Sequence, residues 1–274
     1  LTAHMQALWD SFYAAWPYGD RWFFVFCFCA SHSILTLPYN LLALVAHTWP
    51  NRFLDQWKIQ PGSYPSQRLV KEVIIQVLAN HLVTSPLFAY FALFPLSQAL
   101  EMPLAGPLPS WPRVVLDIVV FALVNDFLFY WAHRALHSHN WLYKNIHAQH
   151  HRFTAPISWA AEFAHPVEGL FANTIPTLAG CYIMRSHMAV CVLWMLIRMW
   201  ETLDAHGGFD FPFSPFRLGA FFMLGPDGHD WHHSHNRGNY GVFKFWDWIC
   251  GTDAEYRKWL HGEQVPVQEK QKGD

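Results

Sequence analysis

The 25 residues from 22 to 46 contain no Asp, Glu, Lys or Arg. As a helix rising 1.5 Å per residue, such a stretch crosses a hydrocarbon core of about 30 Å. In lipid every backbone N–H and C=O must find its partner within the protein, which leaves helices or closed barrels. Three further apolar stretches follow: residues 73–96, where Pro86 predicts a kink; residues 114–131, shorter and carrying Asp126; and residues 167–203, broken near Arg185 and Ser186 and readable as a hairpin of two helices. Composition agrees, with 53% hydrophobic and only 14% charged residues, against about 25% charged in ordinary soluble domains. The expected fold is an all-α integral membrane bundle with about four spans. No linker, repeat or low-complexity tract divides it, so a single domain over residues 1–274 is expected. A formal net charge of −2 provides no basic field for nucleic acid. Five cysteines, odd in number and mostly inside apolar runs, form neither a disulfide framework nor a CxxC site. Leu1 in place of Met suggests a truncated N-terminus.

Loop charges predict the orientation. Residues 51–72 carry Arg52, Lys58, Arg68 and Lys71, whereas residues 98–112 carry no Lys or Arg, which makes the first loop cytoplasmic. The chain then returns at residue 131 to the cytoplasmic side, where Arg134, Lys144 and Arg152 agree. A hairpin over 167–203 brings the remaining chain back to the same face.

On that face lie three histidine clusters: His133/His137, His147/His150/His151 and His229/His232/His233. Spacings of three and four place side chains on one helix face, with their nitrogens toward a common volume. Imidazole suits zinc, copper, iron and nickel, and eight such donors exceed what one ion takes, so two ions are expected. Residues 134–136 are Arg, Ala and Leu, so the HExxH glutamate of zinc proteases is missing. Without a dinucleotide fingerprint, any reducing power must come from another protein. Asp126 lies seven residues before His133; it either accepts the N–H of a metal-bound imidazole or makes a capping or interhelical contact. His32 and His81, inside spans, read as satisfied interior polar groups. His139 and His235 read as surface or outer groups.

The order of the clusters after apolar spans resembles the fatty acid hydroxylase and sterol desaturase superfamily. The segments AEFAHPVE (161–168), ETLDAHGGFDFP (201–212) and NYGVFKFWDWICGTD (239–253), with WKIQP (57–61), look like those of C-4 methylsterol oxidases. Similarity runs over about residues 57–256, with the histidine-box region at about 114–256. The resemblance implies a cytoplasmic histidine-rich cap holding two non-haem irons, with the eight cluster histidines as ligands. His206 matches a further ligand, and His165 a ligand or neighbouring group. Read from the residues alone, His206 beside Gly207 is a helix C-terminal cap and His165 before Pro166 a helix-end contact. The resemblance further implies oxidation of 4-methylsterols with O2, with electrons from NAD(P)H through a membrane reductase and cytochrome b5, in the endoplasmic reticulum. The ending Lys270-Gln271-Lys272-Gly273-Asp274 resembles a dilysine retrieval signal, though a solvated tail reads equally well. Alternatives are a sterol C-5 desaturase or side-chain hydroxylase, and a non-catalytic membrane protein holding zinc.

Overall fold

The computed structural model describes residues 2–48, 52–219 and 222–265, so the dilysine tail lies outside the described residues. The described residues are mostly helical and contain no strand, only two isolated bridges, Lys58 with Phe209 and Met223 with Phe243. α1 (Thr2–Ala14) leads into three helices long and apolar enough to cross a membrane: α2 (Gly19–Thr48), α3 (Gln67–Ala99) and α4 (Trp111–Ser138). Leu42, Leu82, Phe91 and Leu123 on these helices are 60–72% exposed, a surface suited to lipid rather than water.

The prolines explain the irregularities of α3. Proline lacks an N–H and its ring clashes with the carbonyl four residues earlier. The backbone widens to π geometry at Asn80–Thr84 and Ala89–Leu93, directly before the segments that carry Pro86 and Pro95. A third π turn, Gly169–Thr174, precedes Pro176 at the start of α5 (Ile175–Ile183).

The fourth apolar stretch forms a hairpin of shorter helices: α5, a turn at residues 184–187, then α6 (Met188–Ala205). Arg185 adopts a φ of 47° in this turn. Among the described residues three helices, rather than about four, meet the length and apolarity of a span; α6 carries Arg198, Glu201 and Asp204.

The chain divides into two compact units. One comprises the chain through Leu37, Leu78–Asn125 and Thr177–Met199. Its core is aromatic and sulfur-rich, with Phe23, Phe24, Phe28 and Phe94 packed beside Met188, Met195 and Met199. Here His32 and His81 stack with ring centroids 4.3 Å apart. The other comprises Pro38–Val77, Asp126–Pro176 and the chain from Trp200 onward. In it Leu69, Val73 and Val77 of α3 pack on Phe153, Ile157 and Trp159. Asn40 pins that loop, accepting from Ser158 Oγ at 2.6 Å and, through its carbonyl, from Trp159 Nε1 at 2.8 Å. α7 (Gly225–His235) ends where Asn236 turns left-handed, and α8 (Lys244–Cys250) follows.

Candidate metal centre

Nine histidines from five segments of the second unit collect into two clusters. His133 and His137 stand on the last turns of α4. His147 ends a π turn and His150 and His151 open a 3-10 turn. His206 follows α6, and His229, His232 and His233 line α7.

The first cluster joins His133, His137, His147, His151 and His232; the second joins His150, His206, His229 and His233. In the first, the Nε2 atoms of His137, His147 and His151 lie 2.8, 3.0 and 3.1 Å apart. The His133 and His232 rings face each other at 4.6 Å. In the second, His229 Nε2 lies 2.9 Å from His206 Nε2 and 3.2 Å from His233 Nε2, while His150 Nε2 stands 3.5 Å from His206. Each histidine triplet therefore contributes to both clusters: the residues at i and i+4 enter one, and the residue at i+3 enters the other.

The outward nitrogens identify what the inward ones can do. Backbone carbonyls accept from four Nδ1 atoms: Tyr240 from His133 at 3.0 Å, Thr202 from His206 at 2.8 Å, Gly238 from His232 at 2.6 Å and Phe153 from His233 at 2.9 Å. A carbonyl only accepts, so these Nδ1 atoms carry the proton and each Nε2 is left as a lone pair. Lone pairs about 3 Å apart repel unless a cation lies between them. Around an ion bound by imidazole at about 2.1 Å, adjacent nitrogens stand at about this separation. The Nε2 atoms of His133 and His232 are buried without a hydrogen-bond partner, which costs about 1–3 kcal/mol each if left so. The nine residues thus fit a pair of metal ions held by nitrogen.

Electrostatics agree outside the spanning helices. Burial, and the repulsion that a second protonated imidazole would meet from a first, push His147, His150, His151, His229, His232 and His233 well below the ordinary histidine value. They are neutral at physiological pH, the form that binds metal. His147 Nδ1 lies 2.8 Å from Oε1 of Glu168, whose carboxyl burial pushes well above its usual range.

For two residues the structure shows the second of the two sequence readings. His165 lies outside both clusters and caps the turn at Pro166, accepting from Val167 N at 3.2 Å. Asp126 does not contact His133; its Oδ1 accepts from Val242 N and Phe243 N, both at 2.9 Å. Both N–H groups belong to the loop whose Tyr240 carbonyl orients His133, so Asp126 acts one step further out. His206 bonds the helix-end carbonyl of Thr202 through Nδ1, as a helix C-terminal cap would, and faces His229 through Nε2. His235 stacks on Trp231 at 4.5 Å.

Sequence reasoning missed Glu168, Gly238 and Asp247. Asp247 accepts from Tyr240 N at 2.9 Å and Gly241 N at 2.8 Å, holding the loop that serves His133 and His232. Gly238 has a φ of 62°, and a Cβ there would stand 2.4 Å from the Thr252 carbonyl. Glu168 and Asp247 lie within segments that carried the resemblance; the signal was a carboxylate inside each of those segments.

Fold and site define an apolar, mostly helical protein of membrane character whose histidines form two clusters able to hold metal. The chain belongs to the fatty acid hydroxylase family, which it matches over residues 118–252. It is 39% identical to methylsterol monooxygenase 2-2 of Arabidopsis thaliana over 75% of this chain and 77% of that one. Identity to methylsterol monooxygenase 2-1 of the same plant is 37%, over 81% and 84%. A very-long-chain aldehyde decarbonylase of Oryza sativa subsp. indica is 36% identical over 74% and 76%. No solved structure matches the chain.

Proposed function

We propose that the protein is a membrane di-iron monooxygenase that oxidises the C-4 methyl group of 4-methylsterols. The observation that carries this reading is the pair of adjacent all-nitrogen clusters, five and four histidines strong, in a chain 37–39% identical to methylsterol monooxygenases. The reading takes His133, His137, His147, His151 and His232 as ligands of one iron and His150, His206, His229 and His233 as ligands of the other.

Iron held this way supplies the reductive activation of O2 needed to attack an unactivated C–H bond, and the protein supplies orientation and exclusion of side reactions. The carbonyls of Tyr240, Thr202, Gly238 and Phe153 hold the Nδ1 protons and thereby fix the tautomer of four ligands. Orienting partners of this kind also raise ligand basicity. His147, His151, His232 and His233 are at most 1% exposed, so bulk water is kept from the donors. Electrons come from NAD(P)H through a membrane reductase and cytochrome b5, and the substrate comes from the bilayer. The first two cluster histidines stand on the last turns of α4, the loop charges favour a cytoplasmic site, and the family resemblance supports the endoplasmic reticulum.

A second reading, decarbonylation of a very-long-chain aldehyde, rests on the aldehyde decarbonylase relative aligned over a similar share of the chain. Cells lacking their own C-4 oxidase, expressing this chain and fed 4,4-dimethyl or 4α-methyl sterols, decide between them. Mass spectrometry is expected to find 4-carboxy and demethylated products. Unchanged sterols together with conversion of a fed long-chain aldehyde would overturn the sterol reading in favour of the second.

A further inference from the structure

Within the second unit, a cavity of about 630 Å³ is walled by Leu42, Ala43, Trp200 and the phenyl rings of Phe209, Phe211 and Phe213. That volume lies in the range of about 300–1,000 Å³ typical of small-molecule sites. The three phenyl rings stack in a ladder, with centroids 5.3 and 5.1 Å apart and planes within 17°. Such a ladder is a flat apolar wall, matched to a rigid fused-ring molecule.

One end of this cavity is polar. Asp204, 5% exposed, accepts from Ser214 Oγ at 2.6 Å, and the Tyr39 hydroxyl reaches the same carboxylate. Ser214 Oγ is fully engaged, because it also accepts from Phe216 N and Arg217 N. A carboxylate has about four acceptor positions, so Asp204 has capacity for one more donor. This polar end adjoins the candidate metal centre along the chain. Gly207 lines the cavity and follows His206 directly, and a Cβ on Gly207 would stand 3.4 Å from the Tyr39 hydroxyl.

We propose that the sterol nucleus lies in this cavity and that Asp204, positioned by Tyr39 and Ser214, accepts the hydrogen bond of the ring hydroxyl. In a 4-methylsterol the hydroxyl-bearing carbon neighbours the carbon that carries the methyl group. Anchoring the hydroxyl at Asp204 therefore holds the methyl-bearing carbon at the same end of the cavity, where Gly207 follows His206 in the chain. A linear aldehyde offers neither the flat rings nor the donor. The inference rests on the methylsterol reading above and adds the residues that select for it.

The test uses the full chain in detergent with a photoreactive 4α-methylsterol, competed by 4α-methylsterol or by its 3-deoxy analogue, with labelled peptides mapped by mass spectrometry. The 3-hydroxy competitor is expected to bind at least tenfold more tightly, about 1.4 kcal/mol, and labelling is expected within residues 39–54 and 200–215. Tyr39→Phe removes one oxygen and keeps the ring; it is expected to shrink that preference at least threefold and to raise KM for the 3-hydroxy substrate more than it lowers kcat. Asp204→Ala, which removes both acceptor oxygens, is expected to abolish the preference, with metal content unchanged as the check on folding. Equal competition by the two sterols, or labelling confined to other segments, in wild-type protein that turns over methylsterol would overturn this inference alone. Wild-type protein that neither binds nor oxidises methylsterol overturns the function and the inference together.

Discussion

Five imidazoles of the two clusters, His133, His147, His206, His232 and His233, have their nitrogens divided between two tasks, and this division decides what single substitutions do. His232 gives Nδ1 to the Gly238 carbonyl and turns a partnerless Nε2 inward. His232→Ala is expected to reduce iron by about one ion per chain and to lower turnover more than 100-fold, beyond the 10–100-fold typical of orienting partners; full turnover in this variant would remove the clusters from the reaction. Asp126 acts through one oxygen that accepts two N–H groups. Asp126→Asn keeps an oxygen there and is expected to retain most activity, whereas Asp126→Ala frees the 242–243 backbone and is expected to lose roughly tenfold or more. Equal loss in both variants would show that the charge, and not the acceptor, matters. The sequence made the eight cluster imidazoles legible through their spacing, but not their allocation. At about 100° per residue, positions i and i+4 stand about 40° apart on a helix and i+3 falls about 60° to the other side, so one stripe feeds two ions. Carbonyl partners stayed hidden because a backbone oxygen leaves no residue-type signal.

At the scale of elements, the apolar stretches and their prolines were readable, while the manner in which the helices absorb them was not. A kink expected at Pro86 is taken up by π turns, a choice set by which carbonyls the widened backbone can still satisfy. The hairpin over residues 167–203 was visible as a break near Arg185. The two helices separate at the turn over residues 184–187, where Arg185 takes a positive φ. α5 lies so close to α4 that a Cβ on Gly180 would stand 2.6 Å from Phe121 Cα. Small residues at such crossings let helix backbones approach. Gly180→Leu is therefore expected to destabilise the protein by about 1–3 kcal/mol, read as a lower melting temperature in detergent; an unchanged melting temperature would mean that the helices part without cost.

For the molecule as a whole, the concentration of buried neutral histidines couples folding to protons. The fold holds six of them well below the ordinary histidine value, whereas an unfolded chain protonates them near pH 6.5. The unfolded state thus binds more protons below that pH, so this stability is fully present above about pH 6.5 and is lost as the pH falls. Chelator-stripped protein is expected to melt at a clearly lower temperature at pH 5.5 than at pH 7.5, and equal melting would contradict the burial. The apolar spans, the histidine clusters and the family were accessible from sequence; the division into two compact units was not, because it depends on contacts between distant segments. Those contacts also impose an order on biosynthesis. Four imidazoles of the first cluster are translated by His151, but the fifth arrives only with His232, and the second cluster also waits for α7. A nascent chain therefore carries only part of each cluster until α7 is translated, and neither donor set is complete before His232 and His233 join it.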